Sequence, residues 1–182
     1  MKKPDIIIKN KIIDNGTGEV ITEKDAAVKN RFDADRGYLF RTTKAPASIS
    51  CYVGNFPKNL TDADTGKLIK LSAMLLPDVN CLVYRSGNIT KPLRIEHAAK
   101  ILQISQRQAQ RFISKLIAEQ VMAKVYIKRL NSAGDDFVFR EIRYFINPAV
   151  VIAGNWINRD LYFLFKQELD KILPPWVIKK FN

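Results

Sequence analysis

Hydrophobic and polar residues recur with helical spacing over residues 94–120, which gives the clearest structural prediction in the chain. The first of two helices carries its apolar residues at i, i+3, i+4 and i+7, namely Ile95, Ala98, Ala99 and Leu102. After a short break, Ser105 and Gln108 have the spacing of a capping box, which marks the start of a second helix. This helix should continue to about Gln120, with an apolar stripe formed by Ala109, Phe112, Ile113, Leu116 and Ile117.

The residues that follow this pair of helices alternate between apolar and polar, as in a β-strand. Val121 to Ile127 form the first strand, residues 131–135 a polar loop, and residues 137–146 a second strand that ends before Asn147 and Pro148. Two helices followed by a two-stranded ribbon are the order of elements in a winged helix-turn-helix domain. The sequence therefore predicts an α+β fold built on such a domain.

The preceding residues predict shorter elements. Residues 6–13 form a strand, residues 14–18 a turn, and Val20 begins a second short strand, so an N-terminal β-hairpin is expected. Residues 23–37 are polar and indicate a linker or arm, and residues 38–42 indicate another strand. Thr61 and Asp64 have a capping pattern at the start of a helix that Pro77 should end, and residues 81–84 form a short strand before a polar turn.

Residues 160–173 predict a C-terminal helix, stopped by Pro174 and Pro175. Its apolar face consists of Leu161, Leu164, Phe165, Leu169 and Ile172. Because neighbouring aromatic residues extend the apolar surface beyond one side, we expect a homodimer through this face; the alternative is packing against the core of the same chain. The predicted segments are an N-terminal hairpin and arm over 1–37, a winged-helix domain over 38–154, and a helical extension over 155–182.

Composition and charge narrow the choice of partners. The chain has 182 residues, of which 47% are hydrophobic, enough for a substantial core. Its 30 basic and 18 acidic residues give a net charge of +12, which favours a polyanion. Nucleic acid is the first candidate and an anionic membrane surface the second, with non-specific cationic binding as the plain alternative. No apolar run approaches a membrane span, and the N-terminal run is too short for a signal peptide, so we expect a cytoplasmic protein without membrane association.

The sequence gives little support for an enzyme. The chain has a single histidine, His97, and no cysteine–histidine spacing typical of zinc sites. It also lacks a glycine-rich nucleotide loop and a recognisable catalytic pair of carboxylates. Cys51 and Cys81 lie in hydrophobic surroundings and are interpreted as reduced core residues, with a disulfide as the less favoured alternative. We therefore expect no catalysis, no cofactor and no bound metal, and place His97 on the surface of the short helix, close enough to meet a phosphate.

The polar side of the second helix is the candidate for contact with double-stranded DNA. It carries Ser105, Gln106, Arg107, Gln110, Arg111, Ser114 and Lys115. Arginine side chains can bind guanine, glutamine side chains can pair with adenine, and serine and lysine side chains can contact phosphates. The first part of such a helix touches base edges, which favours Gln106, Arg107 and Gln110 as readers. Four further basic residues are predicted contacts around this helix and along the ribbon: Arg94, Lys128, Arg129 and Arg140. The alternative for both sets is an ordinary solvated surface.

Several segments together resemble the RepL-type plasmid replication proteins, winged-helix initiators that also occur in phage-like elements. The similar segments are residues 17–21, the helix at 68–76, residues 95–105, the strand end at 144–148 with Gly154 and Asn155, and residues 161–165. Three features depart from the family pattern: Arg94 replaces a capping threonine, Gln103 replaces a glycine in the turn, and the ribbon loop is longer. The resemblance implies a protein that binds a replication origin and recruits replication proteins.

Two other functions stay open at the level of the sequence. A MarR-like winged-helix transcriptional regulator, including a phage-encoded one, would use the same residues at a promoter and meet RNA polymerase there. A protein-interaction adaptor would keep the fold without binding DNA, although the basic residues of the second helix argue against it. The position of the bound DNA separates the first two, because an origin has repeated sites and a promoter does not require them.

Overall fold

The computed structural model describes residues 6–13, 20–28, 31–41, 49–130 and 137–182, and the side chains of 31–41, 49–128 and 141–182. Within these ranges the chain is a mixed α+β structure with six α-helices and five small antiparallel sheets. None of the helices in these ranges has the length and apolar character needed to cross a membrane. The predicted turn at 14–18 and the predicted ribbon loop at 131–136 lie outside the described residues.

The N-terminal hairpin is present. Strand β1 (Ile6–Ile13) pairs antiparallel with β2 (Val20–Val28), in a register that runs from Ile6 opposite Val28 to Ile13 opposite Val20. The second strand is longer than predicted, and the assignment of residues 23–28 to a linker is wrong. The register continues through the polar residues of β2, with Lys9 opposite Asp25 and Lys11 opposite Glu23.

A first hydrophobic core is formed by three helices and a ribbon. The helices are α1 (Asp62–Ser72), α2 (Ile95–Leu102) and α3 (Gln106–Ala118), and the ribbon pairs β8 (Met122–Leu130) with β9 (Phe137–Ile146). The core includes the fully buried residues Leu68, Leu71, Leu82, Ala98, Ala109, Leu116 and Ile146. The two helices and the ribbon therefore follow the predicted order.

Helix α1 begins as predicted and ends earlier than predicted. Thr61 caps it: its hydroxyl accepts from the Asp64 amide at 3.2 Å, and the Asp64 carboxylate accepts from the Thr61 amide at 3.4 Å. The helix ends at Ser72, well before Pro77. The chain turns back on itself there: Leu75 bridges Leu82, and the Leu76 amide donates to the Cys81 carbonyl at 2.9 Å. A tertiary bridge, and not the proline, ends this helix.

A second hairpin lies between α1 and α2. Its strands, β6 (Val83–Ser86) and β7 (Ile89–Pro92), are joined by Gly87 and Asn88, and Gly87 has a positive φ of 56°. The sequence predicted a strand at 81–84 and a turn at 86–88, but not β7. Cys81 and Leu82 instead join the ribbon, since Cys81 bridges Phe145. Cys81 is buried, and burial raises the pKa of its thiol to about 11; Cys81 and the half-buried Cys51 are both free thiols.

A second core brings together residues from both ends of the chain. Strand β4 (Gly37–Leu39) pairs with β3 (Phe32–Asp33) and with β11 (Trp156–Ile157), while β5 (Ile49–Cys51) pairs with β10 (Val151–Ala153). Against these strands lie α4 (Arg159–Leu164), α5 (Lys166–Leu169) and α6 (Pro175–Phe181). Buried members of this core include Tyr38, Ile152, Ile157, Leu161, Tyr162, Phe165, Leu169, Val177 and Phe181.

The prediction of one continuous helix over residues 160–173 is wrong. Helices α4 and α5 are separated at Phe165, whose backbone leaves the helical region at φ −124° and ψ 32°. The bend lets the short helices on both sides of it bury Leu161 and Leu169 in the same core. Pro175 begins α6 at a first-turn position, where a proline loses no hydrogen bond, so the proline pair starts a helix as well as stopping one.

Two buried asparagines hold the exit of β9. Asn147 donates from Nδ2 to the Gln120 carbonyl at 3.0 Å and accepts from the Ala149 amide at 2.9 Å. Asn80, which is 0% exposed, donates to the Ile146 and Val151 carbonyls at 2.9 and 2.6 Å. Its Oδ1 accepts from the Ala153 amide at 2.8 Å. Asn80 therefore joins β9, which belongs to the first core, to β10, which leads into the second.

Candidate nucleic-acid interface

The turn between α2 and α3 sets the direction of α3. Gln103 adopts the left-handed conformation, with φ 57° and ψ 44°, so glutamine takes the place where this turn favours glycine. Ser105 then caps α3, because its hydroxyl accepts from the backbone amide of Gln108 at 3.3 Å and the Gln108 side-chain Oε1 accepts from the backbone amide of Ser105 at 3.0 Å. The predicted capping box is confirmed. Ala98 and Ala109, each 0% exposed, are small core residues on the two helices.

The start of α2 is organised by the single histidine. The amide of Arg94 donates to Nδ1 of His97 at 3.2 Å, so His97 takes the part that glutamate or glutamine has in a capping box. The imidazole also stacks on Tyr84, with ring centroids 4.1 Å apart and planes 9° apart. The side chain is 19% exposed, so His97 lies only partly at the surface where the sequence placed it. His97 is a structural contact between α2 and β6.

The outward side of α3 is polar and carries no acidic residue. Five of its exposed residues are predicted DNA contacts and form what we call the α3 face: Gln106, Arg107, Gln110, Arg111 and Ser114; Gln108 and Ala118 are also exposed. The opposite side is buried in the first core through Ala109, Phe112, Ile113 and Leu116. Because the apolar stripe is buried, the five predicted contact residues on the other side point towards solvent together.

Lys115, also predicted as a DNA contact, is engaged within the protein. Its ammonium group lies 2.8 Å from the Asp64 carboxylate, and its side chain is 37% exposed. The hydrogen bond from Lys115 lowers the pKa of Asp64 to about 2. Since Asp64 also caps α1, this ion pair connects the beginning of α1 to the last turn of α3. Lys115 therefore fixes the position of α3 in the free protein.

We expect Lys115→Met to lower the free energy of unfolding by about 1 kcal/mol at pH 7. The shift of Asp64 from 3.8 to about 2 sets an upper bound, and the partial exposure of Lys115 reduces it. A carboxyl group with a lowered pKa stabilises the fold above its unfolded pKa, and this contribution disappears as the pH falls from about 4 to about 2. Urea unfolding at pH 7, 5, 3 and 2 should show the difference from wild type shrinking to near zero. Lys70→Met, on the exposed side of α1, is the control; a difference that stays constant with pH would contradict the ion pair.

The ribbon adds basic and aromatic residues beside the helices. Along β8, Lys124, Tyr126 and Lys128 are exposed, and the Lys124 ammonium lies 4.9 Å from the centre of the Tyr126 ring. Tyr126 is 55% exposed, and the sequence analysis did not include it among the candidate contact residues. Its position between two lysines in a strand of alternating pattern could have indicated that it is exposed. Arg129 lies on β8 opposite Val138. The register then passes from Phe139 to Glu141, so Arg140 is the extra residue of a β-bulge.

The remaining predicted contact, Arg94, is exposed at the start of α2. Its guanidinium lies 3.8 Å from the Glu96 carboxylate, which is itself half exposed. An exposed pair at this distance is weak in water, so the arginine keeps most of its capacity to bind an anion. Within the described residues no three side chains of the metal-binding types lie together.

The predicted dimer face is mostly buried inside the chain. Leu161, Phe165 and Leu169 are 2%, 2% and 0% exposed, Leu164 is half-buried, and Ile172 is 39% exposed. The first three residues form part of the second core, which is the packing that the sequence left open as the alternative. A homodimer through this surface stays a prediction, and the apolar residues left for it are Ile172 and Phe163, which is 47% exposed.

Sequence reasoning missed the β6–β7 hairpin as a possible contact. A groove of about 500 Å³ separates it from the ribbon, lined by Lys91, Arg94, His97, Glu141 and Ile142, among others. The sequence did indicate a basic segment here, since residues 79–95 contain three basic residues and no acidic one.

Comparison of this chain with protein-family models, with curated proteins and with solved structures gives no match. Three features of the chain itself bear on its function: the α3 face, the ribbon and the excess of positive charge.

Proposed function

We propose that this chain is a winged helix-turn-helix protein that binds duplex DNA, with α3 as the helix that enters the major groove. The observation that carries the proposal is the α3 face, in which five polar or basic side chains are exposed and no acidic residue occurs along the helix. The proposal is also supported by the order of elements, in which α1, α2 and α3 are followed by the ribbon of β8 and β9.

The chemistry of the α3 face fits base edges and phosphates. An α-helix with its side chains is about 10–12 Å wide, and the major groove of B-DNA is about 12 Å wide. Arg107, Gln106 and Gln110 lie in the first turns of α3, the part of such a helix that contacts base edges. Arg107 would bind guanine, and the two glutamines would pair with adenine. Arg111 and Ser114, further along the helix, would contact phosphates.

The ribbon would hold the neighbouring backbone of the duplex. Lys124 and Lys128 are exposed on the same strand, two pleats apart, and point to the same side of the ribbon. Contacts of this kind give affinity and orientation without reading sequence. The net charge of +12 adds long-range attraction to the polyanion.

The resemblance to RepL-type proteins favours a replication origin as the bound site, where the chain would recruit replication proteins without catalysing a reaction. A promoter site would instead indicate the transcriptional regulator. Mapping the bound fragments across the genome of the host separates the two, because repeated sites at one origin favour initiation and sites upstream of genes favour regulation.

We expect Arg107→Ala and Gln110→Ala to reduce discrimination between a selected duplex and a scrambled one by about 1–3 kcal/mol each, because they remove base contacts. Lys128→Ala and Arg140→Ala should weaken binding to both duplexes equally, because they remove phosphate contacts. The selected duplex comes from a randomised 30-bp pool, and fluorescence anisotropy measures both affinities across a salt series. Each lost phosphate contact should change the slope of log K against log salt by about 0.9.

Lys179→Ala, on the exposed side of α6, serves as the control for a change in net charge. No binding to any duplex of the pool, or an affinity independent of salt, would rule out the proposed function. If the helix variants weaken binding uniformly and the ribbon variants change discrimination, the ribbon is the reading element and α3 is not.

A further inference from the structure

The β6–β7 hairpin extends in the same direction as the β8–β9 ribbon. The Leu82 amide donates to the Tyr144 carbonyl at 2.8 Å, and Cys81 bridges Phe145 antiparallel, so the chain entering β6 runs against β9 towards the loop end of the ribbon. The tip at Gly87 and Asn88 lies five to six residues beyond Leu82. At about 3.3 Å per residue it lies roughly 16 Å from Leu82, in the direction of the ribbon loop.

The base of this hairpin is anchored in the first core. Val83 and Leu93 are 4% and 1% exposed, the Val83 amide donates to the Met74 carbonyl at 2.9 Å, and the Leu93 amide donates to the Leu82 carbonyl at 3.2 Å. The stack of Tyr84 on His97 fixes it from the side of α2. By contrast, residues 85–91 are all exposed. A fixed base under an exposed tip gives an arm with a defined direction.

The charge of the arm is positive on both faces. Arg85 is opposite Thr90 and Lys91 is opposite Tyr84, so the pleat places the two cations on opposite faces of the hairpin. Neither forms an ion pair with any residue whose side chain the structure describes. Of the two carboxylates in the adjoining groove, Glu141 pairs with Arg143, and the exposed Glu96 lies 3.8 Å from Arg94. The turn at the tip, Gly87 and Asn88, is small and polar, and it is closed by Ser86 opposite the exposed Ile89.

We infer that the β6–β7 hairpin is a second DNA-binding arm, which enters the minor groove tip first beside the DNA that α3 contacts. The inference rests on the proposed function. The minor groove is about 6 Å wide and has a phosphate backbone on each side, which suits a thin tip with one cation on each face. Arg85 contacts one backbone and Lys91 the other. Asn88 at the tip is of a residue type that reads the minor-groove edges of bases.

The test compares the full-length chain with the double variant Arg85→Gln/Lys91→Gln. The probes are a mixed-sequence 40-bp duplex and the best duplex from a randomised pool. Loss of two phosphate contacts should change the slope of log K against log salt by about 1.8 and weaken binding roughly 30-fold at 0.15 M salt, equally on both duplexes. Hydroxyl-radical footprinting, which probes the minor groove, should show protection lost on one flank of the site and kept at its centre.

Lys171→Gln/Lys179→Gln is the matched control, because it removes the same charge from two exposed residues of the C-terminal segment. Both double variants change only exposed side chains, and their melting temperatures should equal that of wild type. If the Arg85/Lys91 variant keeps the wild-type footprint and the wild-type slope of log K against log salt, the hairpin is not a DNA-binding arm, while DNA binding by α3 is unaffected. An equal loss in the control variant would also overturn it, since the effect would then follow net charge. If the wild-type chain itself binds neither duplex, the proposed function fails and the arm fails with it.

Discussion

Asn80→Ala should lower the free energy of unfolding by about 3–5 kcal/mol, the largest effect we expect from a polar residue in this chain. The substitution removes the partners of three buried backbone groups: the carbonyls of Ile146 and Val151 and the amide of Ala153. Each buried group left without a partner costs about 1–3 kcal/mol. The new alanine also has to keep a positive φ of 54°, which asparagine tolerates better.

Gln120→Ala is the control for the backbone part of this effect. Gln120 has a φ of 57°, close to that of Asn80, but its side chain is exposed. We expect it to cost about 0.5 kcal/mol or less, since glutamine and alanine both carry a Cβ and meet similar strain at a positive φ. Urea unfolding followed by far-UV circular dichroism measures both variants. A loss below about 1 kcal/mol for Asn80→Ala would show that water or a rearranged backbone replaces the three hydrogen bonds.

Phe165→Ala should cost about 3–5 kcal/mol, the usual range for removing a buried phenylalanine. Phe165 is 2% exposed and lies in the second core, at the bend between α4 and α5. Phe163→Ala, two residues earlier, is the matched control, because Phe163 is 47% exposed and should cost less than about 1 kcal/mol. The pair separates packing within the chain from packing between two chains.

Light scattering on the same samples tests the predicted homodimer. If Phe165 only fills the core, the variant loses stability and the molar mass of the folded protein does not change. If the C-terminal residues also form a dimer interface, Phe163→Ala or Ile172→Ala should reduce the mass at micromolar concentration, since these are the exposed apolar residues of that segment. A Phe165→Ala variant as stable as wild type would contradict the placement of α4 and α5 in the second core.

The features that the sequence predicted correctly are local ones. The capping boxes at Thr61 and Ser105 need residues only three positions apart, and the stripe along α3 needs only helical periodicity. The outward direction of Gln106, Arg107 and Gln110 followed from that stripe. The alternation of apolar and polar residues likewise predicted β8 and β9, and the isoleucine-rich N-terminal segment predicted the first hairpin.

The features that the sequence did not predict depend on partners that are distant in the chain. Lys115 stays a predicted DNA contact, but its position on α3 did not indicate its ion pair with Asp64, 51 residues earlier. The helix at 160–173 satisfied the apolar pattern, but the second core bends it at Phe165. The hairpin β6–β7 escaped prediction because Cys81 and Leu82, which begin the strand pattern, belong to the bridge with β9.

The sequence by itself determined which residues are apolar on one side, where helices start, and that the chain is strongly basic. Periodicity predicts which side of a helix or strand is buried, but it does not identify the residues that this side packs against. Only the tertiary structure decided that Tyr38 and Ile157 share a core, through pairing of β4 with β11, and that Asn80 bonds to residues 66 to 73 positions later. These contacts depend on how loops bring distant segments together, and the geometry that satisfies each buried polar group exists only in the folded chain.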